Sequence, residues 1–121
     1  MEYSSLKVFE AASAPGVRFV LRRMSLGRRI ELTRQVNELS RKIEFLQAGN
    51  AEREQIEAVW LASEVDGVSL RWGLERIEGL TIDGEAATVE ALLDRGPEAL
   101  CREMLVAIRA EAALSETERK N

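Results

Sequence analysis

The chain has 121 residues, of which 45% are hydrophobic, 31% charged and 5% aromatic. This composition is typical of a globular protein and argues against intrinsic disorder. The longest apolar runs are only a few residues long, far below the roughly 20 residues that span a bilayer. We therefore predict one domain over residues 1–121, with no membrane contact.

Histidine is absent, and Cys101 is the only cysteine. A zinc site of His and Cys ligands, a Ser-His or Cys-His catalytic arrangement and an internal disulfide are therefore all excluded within the chain. Acidic residues are plentiful, but none lies in a recognisable catalytic or calcium-binding motif. The sequence predicts a protein with no catalytic residues, no metal and no cofactor. The first residues lack the pattern of a signal peptide, so we expect a cytoplasmic protein.

The net charge of −4 is unevenly distributed. Residues 1–48 carry nine Lys and Arg against five acids, whereas residues 49–121 carry eight against sixteen. Two such halves attract each other within one fold or between subunits. Balance within one molecule is the simpler interpretation.

Two strand-like runs, Leu6–Ala11 and Val17–Arg23, flank the turn residues Pro15 and Gly16. Proline fixes φ, and glycine permits the positive φ that tight turns need. The residues of the second run that share one side are Val17, Phe19 and Leu21. These signals predict an N-terminal β-hairpin over residues 5–23.

A long helix is predicted from Leu26 to Ala48, with Ser25 as its N-cap and Gly49 and Asn50 as stop residues. Its apolar positions step by 4, 3, 4 and 3 residues, which is the spacing of a coiled-coil seam. They are Leu32, Val36, Leu39, Ile43 and Leu46. Two interpretations stay open, because such a seam packs inside its own domain or binds a partner helix or a second copy.

A second helical segment is predicted from Ala51 to about Glu78. Gly67 and Gly73 interrupt it, so one helix bent near residues 66–67 and two consecutive helices both remain open. The residues on or near one face are Ile56, Val59, Trp60, Ser63, Leu70, Leu74 and Ile77. Trp72 falls off this face, about 120° from Trp60 around a straight helix. One tryptophan is therefore expected in the core and the other at a second packing surface.

The segment after this helix carries strong turn and capping signals. Gly79 is expected to end the helix, and a short extended turn near residues 80–87 is expected to reverse at Asp83-Gly84. Thr88 is placed to cap a short helix over Val89–Arg95, which Gly96 stops.

Pro97 is expected to start the last helix, which runs to about Leu114 and is followed by a frayed tail at 115–121. Its predicted apolar stripe consists of Leu100, Met104, Val106, Ala107 and Ile108. The predicted fold is thus α+β and predominantly α-helical. An N-terminal β-hairpin precedes three to five helices within about 26–114.

An arginine cluster is the best candidate for a charged binding patch. Its members are Arg18, Arg22, Arg23, Arg28 and Arg29. Such a patch binds phosphate or an acidic partner. The chain is acidic overall and only one aromatic residue, Phe19, lies among the arginines, so a solvated or salt-bridged face is preferred over nucleic-acid binding.

Three segments together resemble the tail-assembly chaperones of long-tailed bacteriophages and prophages. They are GVRFVLRRMSLGRRIELTRQV, RWGLERIEGLTIDGEAAT and GPEALCREMLVAIRAEAALSETERKN. The resemblance implies a small, helix-rich, non-enzymatic protein. It further implies binding to the long, aggregation-prone tape measure protein and help in nucleating the tail tube.

A helical protein with an apolar seam suits that role, because it covers a partner helix by groove packing. The residues expected to contact the tape measure protein or another copy are Leu32, Val36, Leu39 and Ile43, with Trp72 and its neighbourhood. Arg22, Arg23, Arg28 and Arg29 are the charged candidates. The alternatives are a structural tail or connector component retained in the virion and, less favoured, a small DNA-binding regulator.

Overall fold

The chain forms two compact units in the computed structural model, which describes residues 1–49 and 51–120, with 113–120 described by their backbone alone. The first unit comprises Met1–Met24 and Leu70–Asn121, and the second comprises Ser25–Ser69. The first contains strands and the C-terminal helices, and the second contains a pair of helices. The predicted α+β class is therefore confirmed.

A three-stranded antiparallel sheet organises the first unit. The predicted hairpin is confirmed as β1 (Leu6–Glu10) and β2 (Arg18–Arg22). The rings of Phe9 and Phe19 stack across the two strands, with their centroids 5.3 Å apart. This pair fixes the register of the hairpin beside the core.

The third strand, β3 (Leu74–Glu78), corrects the sequence analysis, which extended the preceding helix to Glu78. It pairs with the free edge of β2, so β2 becomes the central strand. Glu75 is an extra residue in this pairing, because Val20 lies opposite Arg76 while Leu21 lies opposite Leu74. The pairing of β2 with β3 satisfies backbone N–H and C=O groups on both strands. This stabilisation outweighs the tendency of the spacing of Leu74 and Ile77 to form a helix.

The turn at Asp83-Gly84 is confirmed between β4 (Thr81–Ile82) and β5 (Glu85–Ala86). Asp83 and Gly84 both have positive φ, at 52° and 85°, as the favoured two-residue hairpin turn requires. The short helix α3 (Val89–Arg95) is also confirmed. The Thr88 hydroxyl accepts a hydrogen bond from the Ala91 N–H at 3.1 Å, and α3 ends at Gly96.

The last helix, α4 (Glu98–Lys120), begins beside Pro97 as predicted but continues past Leu114 through most of the expected frayed tail. Asn121 lies outside the described residues. Val106 was predicted in the apolar stripe, but it is exposed, because it lies about 200° around the helix from the buried Met104. The core residues that α4 supplies are Leu100, Met104, Leu105 and Ile108.

These α4 residues form one core cluster with Phe19 and Leu21 of the sheet. The cluster also contains Leu70 of α2 and Leu74 of β3. The cluster is the hydrophobic core of the first unit. Cys101 is half-buried beside it.

The second unit is built from two long helices. Helix α1 (Leu26–Gln47) confirms the predicted helix, and the Ser25 hydroxyl caps it by accepting from the Arg28 N–H at 3.3 Å. Helix α2 (Glu52–Gly73) runs unbroken across Gly67, and its residues from Leu70 onwards belong to the first unit. Asn50, predicted as a stop residue, lies outside the described residues.

Gly79 occupies a position that only glycine fits. Its φ is +79°, and a Cβ added there would lie 2.3 Å from the carbonyl oxygen of Gly16. Gly84 has a similar φ of +85°, yet an added Cβ there would meet nothing within 4 Å. Comparing the two positions therefore distinguishes the cost of a left-handed backbone from the cost of a backbone clash.

We expect Gly79→Ala to destabilise the protein by about 3 kcal/mol or more, since it adds a backbone clash to left-handed strain. Gly84→Ala should cost only the strain, about 1 kcal/mol. Urea denaturation of both variants measures the two costs. Equal losses would contradict the close approach between Gly79 and Gly16.

Glu103 of α4 fastens the loop between β1 and β2. Its carboxylate accepts hydrogen bonds from the Ser13 hydroxyl at 2.6 Å, the Ala12 N–H at 2.6 Å and the Ser13 N–H at 2.9 Å. The Ser13 hydroxyl above all, and then the two N–H groups, favour the charged form and lower the pKa of Glu103 from its ordinary value. The loop is thus held by a charged acceptor.

We expect Glu103→Gln to lower the free energy of unfolding by about 1 kcal/mol at neutral pH, a modest loss because the site is open to solvent. The folded-state pKa is lowered, so this contribution is complete above the ordinary glutamate pKa. It is lost as the pH falls through the folded value. Denaturation of wild type and variant at about pH 7 and about pH 3 measures the difference. Glu85→Gln in β5 is the control, and a difference that did not shrink at low pH would contradict the assignment.

Candidate interaction surface

Helices α1 and α2 form an antiparallel hairpin that is closed by hydrogen bonds at the turn. The side-chain amide of Gln55 donates to the carbonyl oxygen of Gln47 at 3.2 Å and to that of Gly49 at 2.8 Å. Leu46 and Leu61 line one depression between the two helices. These contacts fix the direction in which the helices run past each other.

The predicted seam of α1 is only half-buried. Leu32, Val36, Leu39 and Ile43 are each partly covered, and α1 has no fully buried residue. The residues of α1 that lie between these seam positions are mostly exposed. The seam is therefore the covered side of α1, and little of it is left for a partner.

Helix α2 carries a matching seam that the sequence analysis missed. Ala58, Leu61, Val65 and Val68 step by 3, 4 and 3 residues, and all four are buried or half-buried. Two helices with the same apolar spacing pack by meeting along these rows. The α1 seam thus faces α2 within the hairpin, which favours the first of the two interpretations left open above.

Four large apolar side chains near the turn of the hairpin are exposed instead. Phe45 of α1 is 77% exposed and Trp60 of α2 is 67% exposed. Ile56 and Val59 are exposed with Trp60, and their spacing places the three on the side of α2 away from its seam. We call Phe45, Ile56, Val59 and Trp60 the apolar tip.

Glu57 lies between the two aromatic residues of the apolar tip. It lines one depression with Phe45 and Leu61 and a second with Ile56 and Trp60. The two depressions therefore adjoin at Glu57. Phe45 and Trp60 consequently belong to one side of the hairpin.

Charged side chains border this side differently on the two helices. Arg41 and Lys42 line the depression beside Phe45. Glu52, Arg53 and Glu57 line the depression beside Trp60, and Arg53 Nε is 4.0 Å from the Glu57 carboxylate. The border is basic along α1 and mainly acidic along α2.

The two tryptophans have opposite environments, as their helical spacing predicted. Trp72, named as the candidate contact, is 8% exposed and lies within the first unit, while Trp60 projects into solvent. The spacing gave the angle between the two side chains, but only the tertiary fold decides which of them is covered.

The arginine cluster divides between the two units. Arg22 Nε pairs with the carboxylate of Glu75, and the Arg23 guanidinium lies over the ring of Tyr3 at 5.8 Å. Arg28 and Arg29 are half-buried in the first turns of α1, in the second unit. Arg18 likewise pairs with Glu10 at 3.5 Å. These partners agree with a salt-bridged face.

The reactive side chains of Cys101, Glu75 and Glu78 are either protonated or paired with a charged partner. Burial raises the pKa of the Cys101 thiol, with the charge of Glu98 adding to the effect, so the thiol stays protonated at neutral pH. Glu75 and Glu78 pair with arginines. In the part of the chain that the structure describes, no group of three or more Cys, Asp or Glu is arranged to hold a metal ion.

No protein-family model, curated protein or solved structure matches this chain. The described helices include none with the length and apolar character needed to cross a membrane. The apolar tip is the candidate functional site that the geometry offers.

We expect Trp60→Ala to change the free energy of unfolding by about 0.5 kcal/mol or less in dilute solution, because Trp60 has few contacts to lose. Trp72→Ala should cost about 3–5 kcal/mol through the cavity it leaves. Urea denaturation of the two variants at the same low concentration compares them directly. A larger loss for Trp60→Ala would show that the exposures are reversed.

Proposed function

We propose that this protein is a non-catalytic assembly protein that covers an apolar helix of a partner with its apolar tip. The specific role proposed is that of a phage tail-assembly chaperone. In that role it holds the tape measure protein soluble in the cytoplasm of the bacterial host and assists assembly of the tail tube around it.

The exposed apolar tip is the observation that carries the proposal. Ile56, Val59 and Trp60 have the spacing with which one helix inserts into the groove of another. Tryptophan is also the residue most enriched where binding energy is concentrated at interfaces. Large side chains this exposed on one small hairpin are characteristic of a binding surface rather than of ordinary solvated residues.

The size of the apolar tip fits reversible binding. Burying one large apolar side chain fully contributes about 1.5–3 kcal/mol. Four such side chains contribute about 6–12 kcal/mol in total, and association costs about 4 kcal/mol or more, so the dissociation constant is micromolar at the tightest. Binding of this strength suits a chaperone, because its client must be released when the tail tube forms.

A tape measure protein matches the apolar tip chemically, because it is a long helix with apolar stripes. Those stripes must be shielded from water by another protein before assembly. The resemblance of residues 16–36, 71–88 and 96–121 to tail-assembly chaperones supports this choice of client. A component retained in the virion would use the same surface permanently, and it would appear in purified particles in fixed proportion to the other tail proteins. A DNA-binding role is disfavoured by the carboxylate partners of Arg18 and Arg22.

The test is co-expression of a helical tape measure fragment with wild type, with Trp60→Glu or with Val106→Glu. Val106 is also an exposed apolar residue, but it lies on α4, so it controls for the added charge. We expect wild type and Val106→Glu to keep the fragment soluble and Trp60→Glu to lose at least most of that effect. A fragment whose solubility is the same with and without the protein would refute the proposal.

A further inference from the structure

We infer that a second copy of this chain covers Phe45 and Trp60 of the apolar tip when no client is bound, and that two hairpins then form a four-helix bundle. The inference rests on the proposed function in one respect, because client and second copy use the same surface. Client binding then competes with self-association.

The hairpin alone has an incomplete core. Among the described residues of Ser25–Ser69, only Ala58 is fully buried, and its side chain is a single methyl group. Two helices in contact leave half of each apolar surface open, whereas four helices enclose a core between them. Phe45 and Trp60 are the largest side chains that a second hairpin would bring inside.

The charges of the hairpin favour a second copy over an unrelated apolar surface. Helix α1 carries five Lys and Arg against three acids, while residues 52–69 of α2 carry five acids against one Arg. A two-fold axis parallel to the hairpin lays α1 of one copy over α2 of the other, and both contacts are equivalent. Each helix of the bundle then has oppositely charged neighbours on both sides.

The same axis keeps the turn ends of the two hairpins level. Phe45 of one copy therefore meets Trp60 of the other. Lys42, next to Phe45 on the basic border, meets the acidic border at Glu57. The apolar tip and its two borders are thus complementary to themselves.

The available area is enough for a weak dimer. Residues 52–69 of α2 span about 27 Å, and two packed helices are about 18 Å wide, which gives a face of roughly 500 Å². Two such faces bury about 1,000 Å² in total, the range of weak specific interfaces. A dimer of this size is displaced by a client that buries more apolar surface.

The first test is sedimentation velocity of the full chain from roughly 1 to 200 µM, the range in which such an interface forms. We expect wild type and Val106→Glu to pass from monomer to dimer, and Trp60→Glu to dimerise at least tenfold more weakly. A wild-type chain that is monomeric throughout overturns the inference. If Trp60→Glu nevertheless loses the tape measure fragment, the proposed function stands without the dimer.

The second test uses charge reversal to establish which helices meet. Lys42→Glu alone and Glu57→Lys alone place like charges across both symmetric contacts, so each variant should be monomeric at concentrations where wild type is dimeric. An equimolar mixture restores both attractions and should dimerise as a heterodimer. This arrangement is refuted if the mixture does not associate. It is also refuted if either single variant associates as strongly as wild type. A dimer that forms as expected while the fragment stays insoluble would instead refute the client.

Discussion

Pairing of β3 with the free edge of β2 is the constraint on which the rest of the structure depends. It ends α2 at Gly73, because the residues that follow must be extended to complete the sheet. It also brings Gly79 against the carbonyl of Gly16, where no side chain fits. From that point the chain turns into β4 and β5 and supplies the helices that close the core. One strand therefore determines both where α2 ends and how the core of the first unit is covered.

Local signals account for the elements that the sequence predicted correctly. Pro15-Gly16, Asp83-Gly84 and the Thr88 cap act over a few residues, so their consequences are readable without the fold. Leu74–Glu78 could not be assigned in this way, because its apolar spacing suits a helix and a strand, and the deciding partner lies more than fifty residues earlier. Secondary-structure propensity is a weak predictor where two distant segments supply each other's backbone hydrogen bonds.

The candidate surface could be predicted from the sequence only in part, for a related reason. Spacing predicted the α1 seam, yet the seam of Ala58, Leu61, Val65 and Val68 was concealed by the more apolar row that includes Trp60. Helix α2 has two apolar sides, and the spacing of its larger residues predicted the wrong side as buried. The side with Ala58, Leu61, Val65 and Val68 is the buried or half-buried one, and Ile56, Val59 and Trp60 remain exposed. The exposed row opposite this seam is the basis of the binding surface proposed above.

The point at which the hairpin joins the sheet has a further consequence. Leu21 and Leu74 lie opposite each other in adjacent strands, so the whole of Ser25–Ser69 occupies the place of an ordinary turn between β2 and β3. Insertions at such a point leave the core of the host unit intact. The proposed recognition surface can therefore change by substitution, lengthening or replacement of the hairpin while the sheet and its core stay the same. The architecture separates the residues that must be preserved for folding from those on which the proposed binding depends.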